Sequence, residues 1–202
     1  MRDPENIGQV CEAGPDFLGF IVHRASPRDV GENPDPAIFD RIPAHIRKTG
    51  VFVDKECASL IRFCKKYGFF AAQLHGNESP RDCGAVRKSG LTVIKAFSLH
   101  EAFDFRVLER YAETADFFLF DTKGGLRGGT GLKFNWQILG RYRLAVPFFL
   151  SGGIRPDDAG ALRKLSHPKL YAIDINSGFE TAPALKDAGK VSRFIEEIKT
   201  MI

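Results

Sequence analysis

At 202 residues and 44% hydrophobic composition, the chain can bury one substantial core, so a single domain spanning 1–202 is expected, with neither low-complexity linkers nor repeats of solenoid period. The net charge of +4 is mildly basic, and Lys and Arg are spread rather than clustered with aromatics, so a nucleic-acid partner is not implied, and a small phosphorylated or carboxylated substrate would suit this balance. No apolar window reaches the length of a membrane span and no leader pattern opens the chain, so a soluble, unexported, cytoplasmic protein is expected.

In chain order, Asp3 reads as an N-cap with Pro4 at the first helical position, starting a helix that runs to about Ala13 and stops at Gly14-Pro15. Phe17 to Val22 is a buried strand, followed by a loop carrying Ser26-Pro27-Arg28. A short helix from Pro36 to Ile46 leads to the strand Gly50–Val53, and a helix from Lys55 to Lys66 to the strand Phe70–Leu74, which ends at His75-Gly76. Ser79-Pro80 starts the next helix. The strand Leu91–Ala96 and a helix over Phe103–Tyr111 precede Phe117-Phe118-Leu119-Phe120, four apolar residues that read as a strand buried on both faces and delivering Asp121 at its carboxyl end. A glycine-rich loop through Gly124-Gly125 and Gly128-Gly129-Thr130-Gly131 follows, then a short helix over Phe134–Leu139. The strand Val146–Leu150 ends at Ser151-Gly152-Gly153, a helix runs from Pro156 to Leu165, and the strand Leu170–Asp174 ends at Ile175-Asn176-Ser177-Gly178. An amphipathic helix from Asp187 to Lys199 carries Val191, Phe194, Ile195 and Ile198 on one face.

Seven strands alternate with eight helices, helix first. This pattern points to an α/β fold of (β/α)8 barrel type whose first strand is absent from the chain, with a doubly wound open sheet as the alternative. In a barrel every strand delivers its carboxyl end to one rim, so Arg28, His75, Asp121, the 151–153 loop and the 176–178 loop would surround one cavity. An open sheet would instead concentrate such groups at its switch point.

Asp121 is the candidate for acid or base work, because apolar neighbours on its strand favour its protonated form. Gly152, Gly153, Ser177 and Gly178 lie in the loops where barrels commonly hold phosphate through backbone N–H groups, and Gly129 would cover the same phosphate or belong to a lid. Arg28 offers a planar fork for a carboxylate, His75 a hydrogen bond to substrate or to a catalytic group, and Asp174 an acceptor for a substrate amine or an anchor for its own loop. Cys11, Cys57, Cys64 and Cys83 lack CxxC spacing and a paired His, so they read as reduced thiols without metal.

Taken together and in order, Ser26-Pro27-Arg28, Gln73-Leu74-His75-Gly76, Phe120-Asp121-Thr122-Lys123, Gly128-Gly129-Thr130-Gly131 with Phe134-Asn135-Trp136, Ser151-Gly152-Gly153, and Asp174 with Ser177-Gly178 resemble phosphoribosylanthranilate isomerase of tryptophan biosynthesis. The resemblance implies a (β/α)8 barrel that performs an Amadori rearrangement of N-(5-phosphoribosyl)anthranilate without metal or cofactor. It further implies that Asp121 is the general acid, Arg28 holds the anthranilate carboxylate, Asp174 meets the anthranilate amine, and the last two strand loops hold the phosphate. Asn135 and Asn176 stand where the family usually has Asp and Ser. The family's general-base Cys belongs to a first strand that would precede Met1, so an acid without its base is expected here. Cys11, about two turns into an outer helix, is no substitute. The rival readings are another phosphate-binding barrel such as indole-glycerol-phosphate synthase, which would use a Lys acid and for which Lys95 lies near a strand end, or a non-catalytic module binding anthranilate or a sugar phosphate.

Overall fold

Asp3 does cap the first helix of the chain: its carboxylate accepts from Asn6 N at 2.7 Å, and Pro4 opens α1 (Pro4–Glu12). The computed structural model describes residues 1–121 and 136–199. Along them follow β1 (Phe17–Ile21), α2 (Ala37–Asp40), β2 (Arg47–Phe52), α3 (Cys57–Lys66), β3 (Ala71–Leu74), α4 (Pro80–Lys88), β4 (Thr92–Ser98) and β5 (Phe117–Asp121), then β6 (Phe148–Ser151), α5 (Ala159–Arg163), β7 (Leu170–Ile173), a hairpin of β8 (Glu180–Ala182) and β9 (Leu185–Lys186), and α6 (Ala188–Lys199). Ser79 caps α4 through a reciprocal capping box with Asp82.

The seven long strands form one sheet in the order β1 to β7, each parallel to its neighbour. Chain order without reversal excludes the doubly wound alternative, which needs a switch point. The sheet curls until its first and last strands approach: the Phe17 ring on β1 lies 5.3 Å from Phe149 on β6 and 6.3 Å from Tyr171 on β7. This is the (β/α)8 barrel arrangement, seen here in seven strands with β1 and β7 as the edges.

Period-two alternation divides the core into two layers. Ala71, Ile94, Ala96, Leu119 and Phe149 fill the space inside the curl. Phe118, Phe120, Phe148 and Leu150 face outward from the same strands into the layer under the helices. Each buried side chain of that size contributes about 1.5–3 kcal/mol of apolar burial. Asp121 falls on the inner face because it shares parity with Phe117 and Leu119.

Four expectations need correction. The helix foreseen over Pro36–Ile46 is a single turn, because Pro43 lacks the N–H that would bond to Phe39 and ends the pattern. The helix foreseen over Phe103–Tyr111 is a 3₁₀ segment, Phe105–Tyr111. The one foreseen over Phe134–Leu139 is also 3₁₀ where described, Trp136–Arg141, with its start outside the described residues. The β8–β9 hairpin was not foreseen; it turns through Ala184, a non-glycine residue at φ 70°. It is tied to α1 by two reciprocal bonds of 2.8 Å, Asn6 Nδ2 to Lys186 O and Lys186 N to Asn6 Oδ1.

Candidate active site

The carboxyl ends of β3, β5, β6 and β7 place His75, Asp121, Ser151 and Asp174 around one cavity of about 490 Å³, which Arg28 and Lys186 also line. That volume suits a small phosphorylated molecule. Convergence of strand-end residues from His75 to Asp174 follows from the parallel sheet, since every strand runs toward the same rim. Gly152, Gly153 and Ser177 line the cavity as well. Gly178 packs where any Cβ would collide with the Ile154 carbonyl, so the 151–154 and 176–178 loops touch only because this position is glycine. Gly152 and Gly153 both take positive φ, 101° and 67°, which turns the backbone after β6 sharply. Gly129, expected to cover a phosphate, lies outside the described residues, as does the rest of the 124–131 loop.

Asp121 and His75 form a pair, Nε2 to Oδ2 at 3.4 Å, with side-chain exposures of 18% and 30%. Behind the ring, Gln73 Nε2 lies 2.8 Å from His75 Nδ1. The loop after His75 is held by a buried ion pair: Lys95 Nζ donates to Glu78 Oε2 at 3.1 Å, to Gly76 O at 2.7 Å and to Leu74 O at 3.1 Å. Glu78 in turn accepts from the N–H groups of Gly76 and Asp54 at 3.0 and 2.9 Å. Lys95 alternates with the inward residues Ile94 and Ala96, so its side chain faces the helical layer and is absent from the cavity wall.

Asp174 accepts from Ser151 Oγ at 2.7 Å. Burial pushes its carboxyl above the ordinary value, against the opposing influence of the Ser151 hydrogen bond and the Lys186 charge. Arg28 sits on the cavity wall, but its fork is engaged: Nε donates to both Glu180 oxygens at 2.9 Å and Nη2 to Oε2. Among the described residues its Nη1 has no partner and remains available to a second carboxylate. Lys186 Nζ reaches Glu180 Oε1 at 3.0 Å and Asn176 Oδ1 at 2.6 Å. Burial pushes the Glu180 carboxyl up, but the hydrogen bonds and charges of Arg28 and Lys186 together outweigh it and hold the group at about 2. Burial lowers Lys186, with Glu180 opposing.

Gln73, Glu180 and Lys186 were not singled out from the sequence. Gln73 had a legible signal, since it precedes His75 by two residues on a strand and must share its face. Glu180 had none, because its partner Arg28 is 152 residues away, and Lys186 reaches the site through Glu180. None of the four cysteines lines the cavity. Cys11 is buried on α1, and burial raises its thiol. Among the described residues, no group of His, Cys, Asp and Glu side chains is arranged to hold a metal ion, and no helix is long and apolar enough to cross a membrane.

Comparison with known proteins bears directly on this constellation. The N-(5'-phosphoribosyl)anthranilate (PRA) isomerase of Phocaeicola vulgatus is 41% identical over 202 residues, covering 100% of this chain and 96% of its own. That of Parabacteroides distasonis is 42% identical over 199 residues, with coverages of 98% and 90%. Among solved structures, the phosphoribosyl anthranilate isomerase of Thermus thermophilus superposes with a TM-score of 0.83 at 26% identity over 100% of this chain and 96% of that one. A PRA isomerase in complex with reduced 1-(o-carboxyphenylamino)-1-deoxyribulose 5-phosphate superposes with a TM-score of 0.79 at 25% identity, over 99% and 95%. Since the PRA isomerase family model itself matches residues 1–197, the seven-stranded barrel and its rim of Arg28, His75, Asp121 and Asp174 belong to a member of the N-(5'-phosphoribosyl)anthranilate isomerase family.

Proposed function

We propose that the chain isomerises N-(5-phosphoribosyl)anthranilate to 1-(2-carboxyphenylamino)-1-deoxyribulose 5-phosphate, with Asp121 as the general acid. The observation that carries this is the position of Asp121, inward at the end of β5 and 3.4 Å from His75, on the wall of a cavity shared with Asp174 and two glycine loops. The proton of the Asp121 carboxyl goes to the ribose ring oxygen as the bond from that oxygen to the first sugar carbon breaks. The anthranilate nitrogen supplies the electron pair that forms the Schiff base. A general base then takes the proton from the second sugar carbon, and the C–H pair forms the C=C bond of the enolamine as the C=N pair returns to nitrogen. The cysteine that the family resemblance assigns to this second step has no counterpart among the cavity-lining residues.

Arg28 Nη1 is the donor for the anthranilate carboxylate, with Glu180 holding the guanidinium plane. Asp174 accepts from the anthranilate amine. Gly152, Gly153, Ser177 and Gly178 meet the phosphate through backbone N–H groups. Reduced thiols at all four cysteines suit the cytoplasm as the working compartment.

Asp121→Asn tests the assignment. Turnover of N-(5-phosphoribosyl)anthranilate falls by ~10²–10⁴ while affinity for the reduced product analogue stays within a few-fold. Retained turnover removes Asp121 from the mechanism. A Lys acid, as an indole-glycerol-phosphate synthase would need, is disfavoured because Lys95 is committed to Glu78 outside the cavity. A parent chain that binds the analogue yet never turns over would favour the binding-module reading.

A further inference from the structure

The geometry points to Gln73 as a positioning residue that chooses which ring nitrogen of His75 carries hydrogen, so that an N–H donor always faces Asp121. Gln73 is 8% exposed, on the inner face of β3 between Val51 on β2 and Ile94 on β4, where the register leaves it little freedom. Its Nε2 lies 2.8 Å from His75 Nδ1. With the amide nitrogen donating, Nδ1 is the accepting nitrogen and the hydrogen of the neutral ring sits on Nε2; the opposite amide orientation would reverse both. Nε2 is the atom 3.4 Å from Asp121 Oδ2. The charged groups around this pair are Asp174 on β7 and Lys186 on β9 across the cavity, and the Lys95–Glu78 pair beneath the 75–78 loop.

The chemical consequence rests on Asp121 being the acid. When its proton passes to the ribose ring oxygen, the carboxylate left behind gains negative charge where none was before. His75 Nε2 lies 3.4 Å from that carboxylate, and a hydrogen on it supplies a donor beside the point where charge develops, which lowers the barrier. In the opposite tautomer the Nε2 lone pair would face the new carboxylate and repel it. Gln73 lines the same cavity, and in this role it acts through the imidazole.

The test reads the tautomer directly. In ¹⁵N-labelled protein, two-bond ¹H–¹⁵N correlation spectra distinguish Nδ1 from Nε2 protonation, and His75 is assigned among the five histidines by the loss of its signals in His75→Gln. The parent is expected to show the Nε2–H form. Gln73→Glu places an acceptor against Nδ1, draws the hydrogen there and inverts the ratio, while kcat falls ~10-fold with KM within about two-fold. Should that variant fail to fold, Gln73→Met, similar in size and without a donor, lowers the Nε2–H to Nδ1–H ratio by ~5-fold. A parent ring protonated on Nδ1, a Glu variant with an unchanged tautomer, or an inverted tautomer with unchanged kcat each overturns the inference. The isomerase reading stands or falls separately, on Asp121→Asn.

Discussion

Glu180→Gln removes the negative centre of a triad in which one buried carboxylate pairs with both Arg28 and Lys186. The Glu180 side chain is 5% exposed, and its carboxyl is held at about 2 instead of the ordinary 4.5. A carboxyl depressed in the folded state stabilises it fully above its unfolded value, and the contribution disappears as pH falls through the folded value. The window is therefore about pH 4.5 down to about pH 2. The linked stability is about 3 kcal/mol at pH 7, still about 3 at pH 4.5, and about half of that at pH 3. Urea unfolding of parent and variant at these three pH values measures the gap. A destabilisation of about 3 kcal/mol at pH 7 that shrinks by about half between pH 4.5 and 3 is expected. A variant as stable as the parent at pH 7, or a gap of constant size across the window, would refute the view that Arg28 and Lys186 depend on this carboxylate.

Two other outcomes follow from the buried charges. Asp174 has a carboxyl raised by burial, so folding is penalised as pH climbs above its ordinary value of 3.8; Asp174→Asn should stabilise the protein by roughly 1 kcal/mol at pH 7, lose that advantage below about pH 4, and weaken binding of the reduced product analogue by ~10-fold, as read by thermal melts and calorimetry. Lys95→Met strips the donor from Glu78 and from the carbonyls of Leu74 and Gly76, so thermal unfolding should report a loss of ~3–5 kcal/mol; Glu78→Gln, which keeps acceptors for the two loop N–H groups, should lose less. Equal losses in the two variants would mean that the pair does not pin the loop after His75.

Much of the barrel is readable because a parallel sheet covered on both faces needs unbroken apolar strands, and runs such as Phe117–Phe120 and Phe148–Leu150 can be little else. Helix starts at Asp3-Pro4 and Ser79-Pro80 are readable for a local reason, since capping is settled within four residues. β2 shows the limit of that legibility. It begins at Arg47, three residues before its apolar run, because the Lys48 ammonium bonds Tyr67 O at 2.7 Å and the Arg47 guanidinium lies 4.8 Å from the Phe70 ring centroid. Those partners come from other elements, so a polar Arg47-Lys48-Thr49 gives no local sign of being strand.

The same division holds at the site. By itself the sequence determined the alternation of strand and helix, and from it the gathering of Arg28, His75, Asp121, Asp174 and the two glycine loops at one rim, because parallel strands share a direction. Only the tertiary structure decided what those groups face: that Glu180 occupies one edge of the Arg28 fork, that Lys95 points out of the barrel, and that Gln73 stands behind the His75 ring. Which side chains meet across a curled sheet depends on register and curvature, which are set by packing over the whole chain, and no short stretch of residues carries that information.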